Sequence, residues 1–311
     1  MKKLLKYTGL ALSFPLILFL SYTALRKNHF ISKEQAKETY QFENSQFIEW
    51  KGIQVHLLEK GHKHSKSVIL VHGLGGALHE FNPLGDRLAE HYHVVSFDLP
   101  GFGLSDAPLH TEDIQQVYFD FMEFILENFA RDTSYIVGNS MGGMIAWNTT
   151  YMFPDRIQKQ VLLAPAGYDM VQIAEKNAEW INQPHIRYLL AKGAAPFIAK
   201  SNVEMCFFKD EDIDPMLFER KYGMMNKEGN LEYLKQLAGY KKFMDTAIIQ
   251  QIQTPSLIIW GTEDEIIPYS HAIRFDRDLP NSALLTYENC GHAPMLEELD
   301  KCAKDILNFF D

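Results

Sequence analysis

Short apolar runs recur along the chain from residue 47 onward, and helix-like segments lie between them. Several runs are nearly continuously apolar, which is typical of strands buried on both faces of a parallel sheet. Residues 113–129 show the helical period and separate two such runs. The alternation predicts βαβ order and a mostly parallel sheet with helices on both faces. The predicted strands cover residues 53–58, 68–71, 94–97, 135–137, 161–163, 257–260 and 284–287.

The alternation stops after residue 165, and strand-like patterns resume only at residue 254. The residues between mix Met and Phe with charged side chains, which indicates a helical insertion. A last helix is predicted over residues 295–310. We therefore divide the chain into an N-terminal segment (1–27), a first core part (28–165), a helical cap (166–249) and a second core part (250–311).

The N-terminal segment contains an uncharged, mostly apolar run over residues 7–25, preceded by three lysines. At a rise of about 1.5 Å per residue, a helix of this length crosses one hydrocarbon core. A cleaved signal peptide is the alternative, but cleavage after Ala24 would put the bulky Tyr22 where small residues are preferred. We predict a membrane anchor with the remaining chain on the exported side, periplasmic or extracellular. Secretion after signal cleavage is the alternative.

Composition narrows the class of partner. Hydrophobic residues make up 46% and charged residues 23% of the chain, as in a globular protein. The net charge of −10 leaves no basic surface for a phosphate backbone, so no nucleic acid partner is expected. Cys206, Cys290 and Cys302 are too few for a disulfide framework or a zinc site, and a single Cys290–Cys302 pair is left open. No obligatory protein partner is evident.

The first chemical motif is a glycine-rich turn around a serine. Residues 137–143 read Val-Gly-Asn-Ser-Met-Gly-Gly, between a strand-like run and a helix-like run. Glycines two positions before and after the serine allow a turn too sharp for side chains. Ser140 would then stand at the carboxyl end of the sheet and at a helix N-terminus, where developing negative charge is stabilised. The alternative is a turn with an incidental serine.

A serine nucleophile needs a base and an acid that orients the base. Asp264 follows a strand-like run and a Trp-Gly turn, and His292 follows the last predicted strand. Glu263 and Glu265 are neighbouring candidates for the acid. Because both segments lie beyond strand ends, where open α/β sheets place their sites, we predict a catalytic triad of Ser140, Asp264 and His292.

An acyl-transfer site also needs donors for an oxyanion. Residues 71–76, Val-His-Gly-Leu-Gly-Gly, end an early strand in a turn whose amides can face the serine. We predict that the oxyanion hole consists of the amides of Leu74 and Met141. His72 is interpreted as a brace of this turn, and Asp98 as a turn former. Histidine pairs at 62 and 64 or at 91 and 93 lack further metal ligands.

Together these motifs resemble the α/β-hydrolase-fold serine hydrolases. The resemblance rests on residues 72–73, 98–103, 138–143, 260–264 and 291–292, in the family's order, and extends from about residue 68 to the C-terminus. It implies a mostly parallel central sheet, a helical cap between strands 6 and 7, and catalysis without a metal or another cofactor. The serine at position 140 argues against haloalkane dehalogenases, which carry Asp there.

Two branches of that family share this serine motif followed by the residues Phe-Pro-Asp-Arg, here 153–156. One comprises carboxylic ester hydrolases, including membrane-anchored monoacylglycerol lipases. The other comprises meta-cleavage product hydrolases, which break carbon–carbon bonds and typically carry Trp after the catalytic His, where this chain has Ala293. The apolar N-terminal run and the Met- and Phe-rich cap favour an esterase or lipase acting on monoacylglycerols or similar lipid esters. Carbon–carbon bond hydrolysis is the alternative, and a non-catalytic membrane-tethered binding protein is a minor one.

Overall fold

The computed structural model describes residues 28–108, 113–168, 190–238 and 245–311, together with positions 111, 179, 183, 184, 186 and 240. The predicted anchor over residues 7–25 lies outside this part of the chain. Among the described residues, no helix has the length and apolar character needed to cross a membrane.

Eight strands form a single sheet in the order β1-β2-β4-β3-β5-β6-β7-β8. Strand β2 pairs antiparallel with β1 and β4, whereas all pairs from β4 to β8 are parallel. The predicted α/β fold with a mostly parallel sheet is therefore confirmed. The strands are β1 Gln46–Trp50, β2 Ile53–Lys60, β3 Ser67–Val71, β4 His93–Phe97, β5 Ser134–Asn139, β6 Ile157–Leu163, β7 Ser256–Gly261 and β8 Ser282–Tyr287.

Helices flank the sheet and follow the strands in sequence. Two short 3₁₀ helices, Asp210–Asp212 and Thr246–Gln251, lie between β6 and β7. The α-helices with described bounds are α1 Lys33–Tyr40, α2 Leu78–Leu88, α3 Ile114–Asn128, α4 Met141–Met152, α5 Pro196–Glu204, α6 Pro215–Met225, α7 Asn230–Ala238, α8 Ser270–Asp278, α9 Pro294–Glu297 and α10 Leu299–Phe310.

Strand β3 shows why the central strands are apolar at every position. Ile69 and Val71 point into the core layer that contains α3 and α4. Val68 and Leu70 point to the opposite face, into the layer that contains α2 and α10. Because successive side chains of a strand alternate between faces, two covered faces require an uninterrupted apolar run.

Two sequence expectations need correction. The edge strand β1 was not predicted, because only Trp50 at its end is fully buried and the strand lacks a continuous apolar pattern. The helix expected over residues 295–310 is divided at Glu298, whose backbone angles of φ −123° and ψ 45° are not helical. The seven predicted strands all lie within observed strands.

Between β6 and β7 the chain forms α5, α6 and α7, and α5 packs on α6. Val203, Phe207 and Leu217 form a small apolar cluster of this insertion, against which Leu296 of α9 packs. Residues 169–178 and several positions up to 189 lie outside the described part of the chain. The cap boundaries at 166 and 249 remain a prediction.

Candidate active site

Ser140 connects β5 to α4 through a sharp turn. Its backbone angles are φ 56° and ψ −120°, in a region that L-residues rarely adopt. A Cβ placed on Gly138 would lie 2.3 Å from the carbonyl oxygen of Gly142, and one on Gly143 would lie 2.7 Å from the Pro165 side chain. The glycines of the motif are therefore required by close packing around the serine.

Neighbouring strand ends hold this turn in place. The Ser140 amide donates to the carbonyl oxygen of Leu163 at 3.0 Å, and the Ser140 carbonyl accepts from the Ala166 amide at 2.9 Å. The side-chain amide of Asn139 donates to the carbonyl oxygens of Leu163 and His292, each at 3.0 Å. Asn139 thus ties the serine turn to the backbone of the predicted catalytic histidine.

His292 and Asp264 form a buried pair. The Nδ1 atom of His292 lies 2.7 Å from Oδ2 of Asp264, while Oδ1 of Asp264 accepts from the amides of Ile266 and Ile267 at 2.9 and 2.8 Å. Because an ionised carboxylate only accepts, Nδ1 carries the proton and Nε2 is free to act as a base. The rival Glu263 is exposed and contacts Thr262 instead, and Glu265 is also exposed.

The loop carrying His292 is also bonded to the insertion between β6 and β7. The His292 amide donates to the carbonyl oxygen of Cys206 at 2.9 Å. The two carboxylate oxygens of Glu297 accept from the amides of Gly291 and Phe208, at 2.9 and 2.8 Å. Burial raises the pKa of Glu297, and these backbone donors oppose that effect. Glu297 therefore bridges the histidine loop and the insertion.

The turn predicted to supply the oxyanion hole lies beside the serine. A Cβ on Gly73 would be 3.2 Å from Cβ of Ser140. Within the described residues, the amides of Leu74 and Met141 donate to no other group of the protein. Helix α4 also begins at Met141, so its positive end faces the same place. The geometry is compatible with the predicted hole, and its role remains a prediction.

His72 and Asp98 brace the surrounding loops rather than facing the serine. Nδ1 of His72 donates to the Gly73 carbonyl oxygen at 2.8 Å, and its Nε2 accepts from the Leu99 amide at 2.9 Å. Burial lowers the pKa of His72, consistent with this neutral form. Asp98 accepts from two backbone amides and contacts His56 at 2.8 Å; although burial opposes it, His56 keeps the pKa of Asp98 below its ordinary value. Both sequence interpretations are confirmed.

Ser140 and His292 line one cavity of about 590 Å³. This volume lies within the range of about 300 to 1,000 Å³ that is typical of small-molecule sites. Most lining side chains are apolar. They come from the core and from the insertion and include Met144, Ile198, Phe207, Leu217, Leu231 and Met295.

Neither the cysteines nor the remaining histidines belong to the predicted triad. Cys206, Cys290 and Cys302 are free thiols, so the possible Cys290–Cys302 disulfide is not formed. Glu59, His62 and His93 place ligand atoms within 4.8 Å of one another and could together hold a metal ion. Because β4 begins at His93, this cluster lies at the amino-terminal ends of the parallel strands, whereas Ser140 lies at their carboxyl ends.

Known proteins with similar sequences support the assignment of the fold and of the serine turn. The α/β hydrolase fold family matches residues 66–299, so the chain belongs to that family. It is 28% identical over 267 residues to a 2-hydroxy-6-oxononadienedioate/2-hydroxy-6-oxononatrienedioate hydrolase of Klebsiella pneumoniae, covering 83% of this chain and 91% of that protein. It is 26% identical over 269 residues to a 2-hydroxy-6-oxo-6-phenylhexa-2,4-dienoate hydrolase of Burkholderia cepacia, with the same coverage.

Solved structures share the fold. A meta-cleavage product hydrolase of Pseudomonas fluorescens has a TM-score of 0.72 at 22% identity, over 85% of this chain and 97% of that one. A membrane phospholipase A has a TM-score of 0.72 at 22% identity, over 100% of this chain and 98% of that one. The family match and the curated relatives together make the protein a hydrolase of the α/β fold. The curated relatives favour the carbon–carbon alternative and do not support the predicted lipid ester specificity.

Some site residues escape sequence reasoning. Asn139 could have been noticed, because it precedes the serine within the motif. Glu297 carries no motif, and its partner Phe208 lies 89 positions away. Glu80 and Lys221, which form an ion pair in the cavity, are 141 positions apart. Only the folded chain brings such residues together.

Proposed function

We propose that the protein hydrolyses carboxylic esters of apolar acyl chains, such as monoacylglycerols and similar lipid esters. Ser140 attacks the ester carbonyl carbon while Nε2 of His292 takes the hydroxyl proton. Asp264 stabilises the imidazolium that forms. The amides of Leu74 and Met141 donate to the oxyanion. His292 then protonates the leaving alcohol, and water releases the acid from the acyl-enzyme by the same steps.

The cavity carries this proposal. Its lining is mostly apolar, and the soft, unbranched side chains of Met144, Met205 and Met295 adapt to acyl chains of varied shape. Among the described lining residues, the carboxylate and ammonium side chains are those of two acids and two lysines, so their formal charges cancel. These residues are Glu80, Glu265, Lys221 and Lys235. Such a cavity suits a neutral, elongated substrate.

Carbon–carbon bond hydrolysis is the second candidate, and the curated relatives favour it. Their substrates, as named, are carboxylates with a 6-oxo group. An anionic substrate needs a cation in the cavity that is not already neutralised. Among the described lining residues, Lys221 pairs with Glu80 at 3.1 Å and Lys235 with Glu232 at 3.4 Å. This pairing favours a neutral ester over an anionic substrate.

One substrate panel separates the two candidates. The full-length protein in detergent is assayed with p-nitrophenyl esters from acetate to palmitate, with monooctanoylglycerol and with 2-hydroxy-6-oxo-6-phenylhexa-2,4-dienoate. The Ser140→Ala variant is the control. We expect Ser140-dependent ester hydrolysis that is greatest at medium or long acyl chains. Turnover of the dienoate with negligible ester hydrolysis would contradict this proposal and establish the second candidate.

Membrane attachment through residues 7–25, with the catalytic part exported, is a further part of the proposal, and it rests on sequence alone. An anchor would hold the enzyme beside lipid-derived esters. Protease added to sealed cells is expected to degrade the catalytic part. Protection of that part until the cells are lysed would contradict the proposed side of the membrane.

A further inference from the structure

A buried ion pair lies in the cavity beside the predicted catalytic residues. The ammonium nitrogen of Lys221 lies 3.1 Å from Oε1 of Glu80, and each side chain is only 12% exposed. Glu80 lies in the first turn of α2, and Lys221 lies in α6 of the insertion. Both line the same cavity as Ser140 and His292. The triad does not use this pair.

The pair lies at the reacting end of the cavity. The loop that connects β3 to α2 starts beside the nucleophile, where a Cβ on Gly73 would be 3.2 Å from Cβ of Ser140. It continues to Gly76, where a Cβ would lie 2.5 Å from Oε2 of Glu80. The Gly76 amide donates to the Gly73 carbonyl oxygen at 3.1 Å, and a turn of this kind brings its two ends within about 7 Å of each other. Glu80 and Lys221 therefore line the part of the cavity that this turn shares with Ser140.

The chemistry of the pair suits hydroxyl groups. An ammonium group has three donors, and within the described residues Lys221 has one hydrogen-bond acceptor, Glu80. Burial alone would lower the pKa of Lys221, but the nearby Glu80 carboxylate raises it, so the lysine is charged. A hydroxyl group accepts from the ammonium and donates to the carboxylate. A substrate carboxylate would instead be repelled by Glu80.

We propose that Glu80 and Lys221 bind the hydroxyl groups of the substrate's alcohol part, so that polyol esters are preferred over simple alkyl esters of the same acid. This inference rests on the proposed ester hydrolysis. One hydroxyl oxygen of the alcohol accepts from Lys221, and a hydroxyl of the same alcohol donates to Glu80. The acyl chain then occupies the apolar remainder of the cavity.

The test compares two esters of one acid. The rate of octanoic acid release from monooctanoylglycerol and from methyl octanoate is titrated for the wild type and for the double variant Glu80→Gln with Lys221→Met. Loss of a hydrogen bond to a charged group lowers a rate or binding constant by about tenfold to a hundredfold. We expect the ratio of kcat/KM, polyol ester over methyl ester, to fall by at least about tenfold in the double variant.

A matched control uses an exposed pair of the same insertion. Lys200 and Glu204 pair at 3.2 Å on α5 and do not line the cavity. The double variant Lys200→Met with Glu204→Gln is expected to keep the wild-type ratio. An equal ratio in the wild type and in the Glu80 and Lys221 double variant would overturn the inference. Absence of any ester hydrolysis by the wild type would instead overturn the proposed function.

A single variant covers the case in which the double variant does not fold. Glu80→Gln leaves the Lys221 ammonium without its counter-charge, so the cavity should accept an anionic substrate. The probe is octanoyloxyacetate, the octanoyl ester of glycolate, which carries its carboxylate on the alcohol part. We expect its kcat/KM, relative to methyl octanoate, to rise by about tenfold. An unchanged ratio would overturn the assignment of Lys221 as the cation of this site.

Discussion

Ser140 adopts a sparsely populated backbone conformation, with φ of 56° and ψ of −120°, that costs an L-residue roughly 1 to 3 kcal/mol. Strain of this kind persists only where the surrounding structure enforces it. Here the glycines at 138, 142 and 143 let neighbouring backbone approach within distances that a Cβ would occupy. The serine motif was predictable from sequence because its residue types are dictated by this local crowding.

Gly142→Ala tests the crowding directly. A Cβ at this position would lie 2.1 Å from the carbonyl oxygen of Val71 and 2.4 Å from that of His72. Backbone atoms cannot rotate away, so we expect the free energy of unfolding in urea to fall by about 3 kcal/mol. Ester hydrolysis should be lost with it, because the turn carries the nucleophile.

Gly52→Ala is the matched control. Gly52 has φ of 80°, and no atom lies within 4 Å of a Cβ placed there. The substitution should cost only about 1 to 2 kcal/mol, from backbone strain alone. Equal losses in the two variants would show that crowding around Gly142 is not the cause.

At the scale of elements, the short helix α9 links the histidine loop to the insertion. The helix begins directly after Ala293, and its residue Glu297 accepts hydrogen bonds from both segments. Sequence periodicity predicts one helix over residues 295–310 and misses the break at Glu298. The hydrogen bonds of Glu297 to Gly291 and Phe208 accompany this break, and no local sequence pattern contains them.

Glu297→Gln should impair catalysis without changing substrate binding. The new amide nitrogen would face a backbone N–H of either Gly291 or Phe208, because both carboxylate oxygens now accept. Losing one hydrogen bond to a charged group costs about 1.5 to 3 kcal/mol of free energy. We expect kcat for ester hydrolysis to fall about tenfold or more while KM changes little.

Glu298→Gln is the control for this prediction, since it alters the neighbouring acid by the same chemical change. Both variants should be compared by kcat, KM and thermal unfolding. An unchanged kcat in the Glu297→Gln variant would mean that Glu297 does not position His292. A loss of stability alone, without loss of kcat in the folded protein, would mean the same.

At the scale of the whole molecule, buried neutral histidines couple stability to pH. Burial lowers the pKa of His72, His79 and His93. The unfolded chain binds protons at these positions near pH 6.5, whereas the folded protein binds them only at lower pH. Their contribution is therefore fully present above about pH 6.5 and is lost progressively below that value, as the pH falls through the lowered pKa values of the folded protein.

Thermal unfolding at pH 7.5 and pH 5 measures this coupling. We expect a lower Tm at pH 5, because protonated Nε2 of His72 can no longer accept from the Leu99 amide. His72→Gln, which keeps one donor and one acceptor, should reduce the difference. His91→Gln alters an exposed side chain and should leave it unchanged. Equal pH dependence in all three proteins would contradict this account.

Features that depend on local sequence patterns could be predicted from the sequence, whereas contacts between distant segments could not. The central strands were predictable because both faces of each are buried, as Val68 and Ile69 on opposite faces illustrate. The order of Ser140, Asp264 and His292 was predictable because each follows the end of a strand. The Glu80–Lys221 pair was not, because it forms across the cavity between distant segments. Substrate preference depends on such contacts.

The most direct test of the account is covalent labelling of the full-length protein in detergent with a fluorophosphonate probe. The hydroxyl of an activated serine displaces fluoride from such a probe. Mass spectrometry should then locate the modification on Ser140, and the Ser140→Ala protein should not react. A folded wild-type protein that remains unmodified, or that is modified at another residue, would contradict the assignment of Ser140 as the nucleophile.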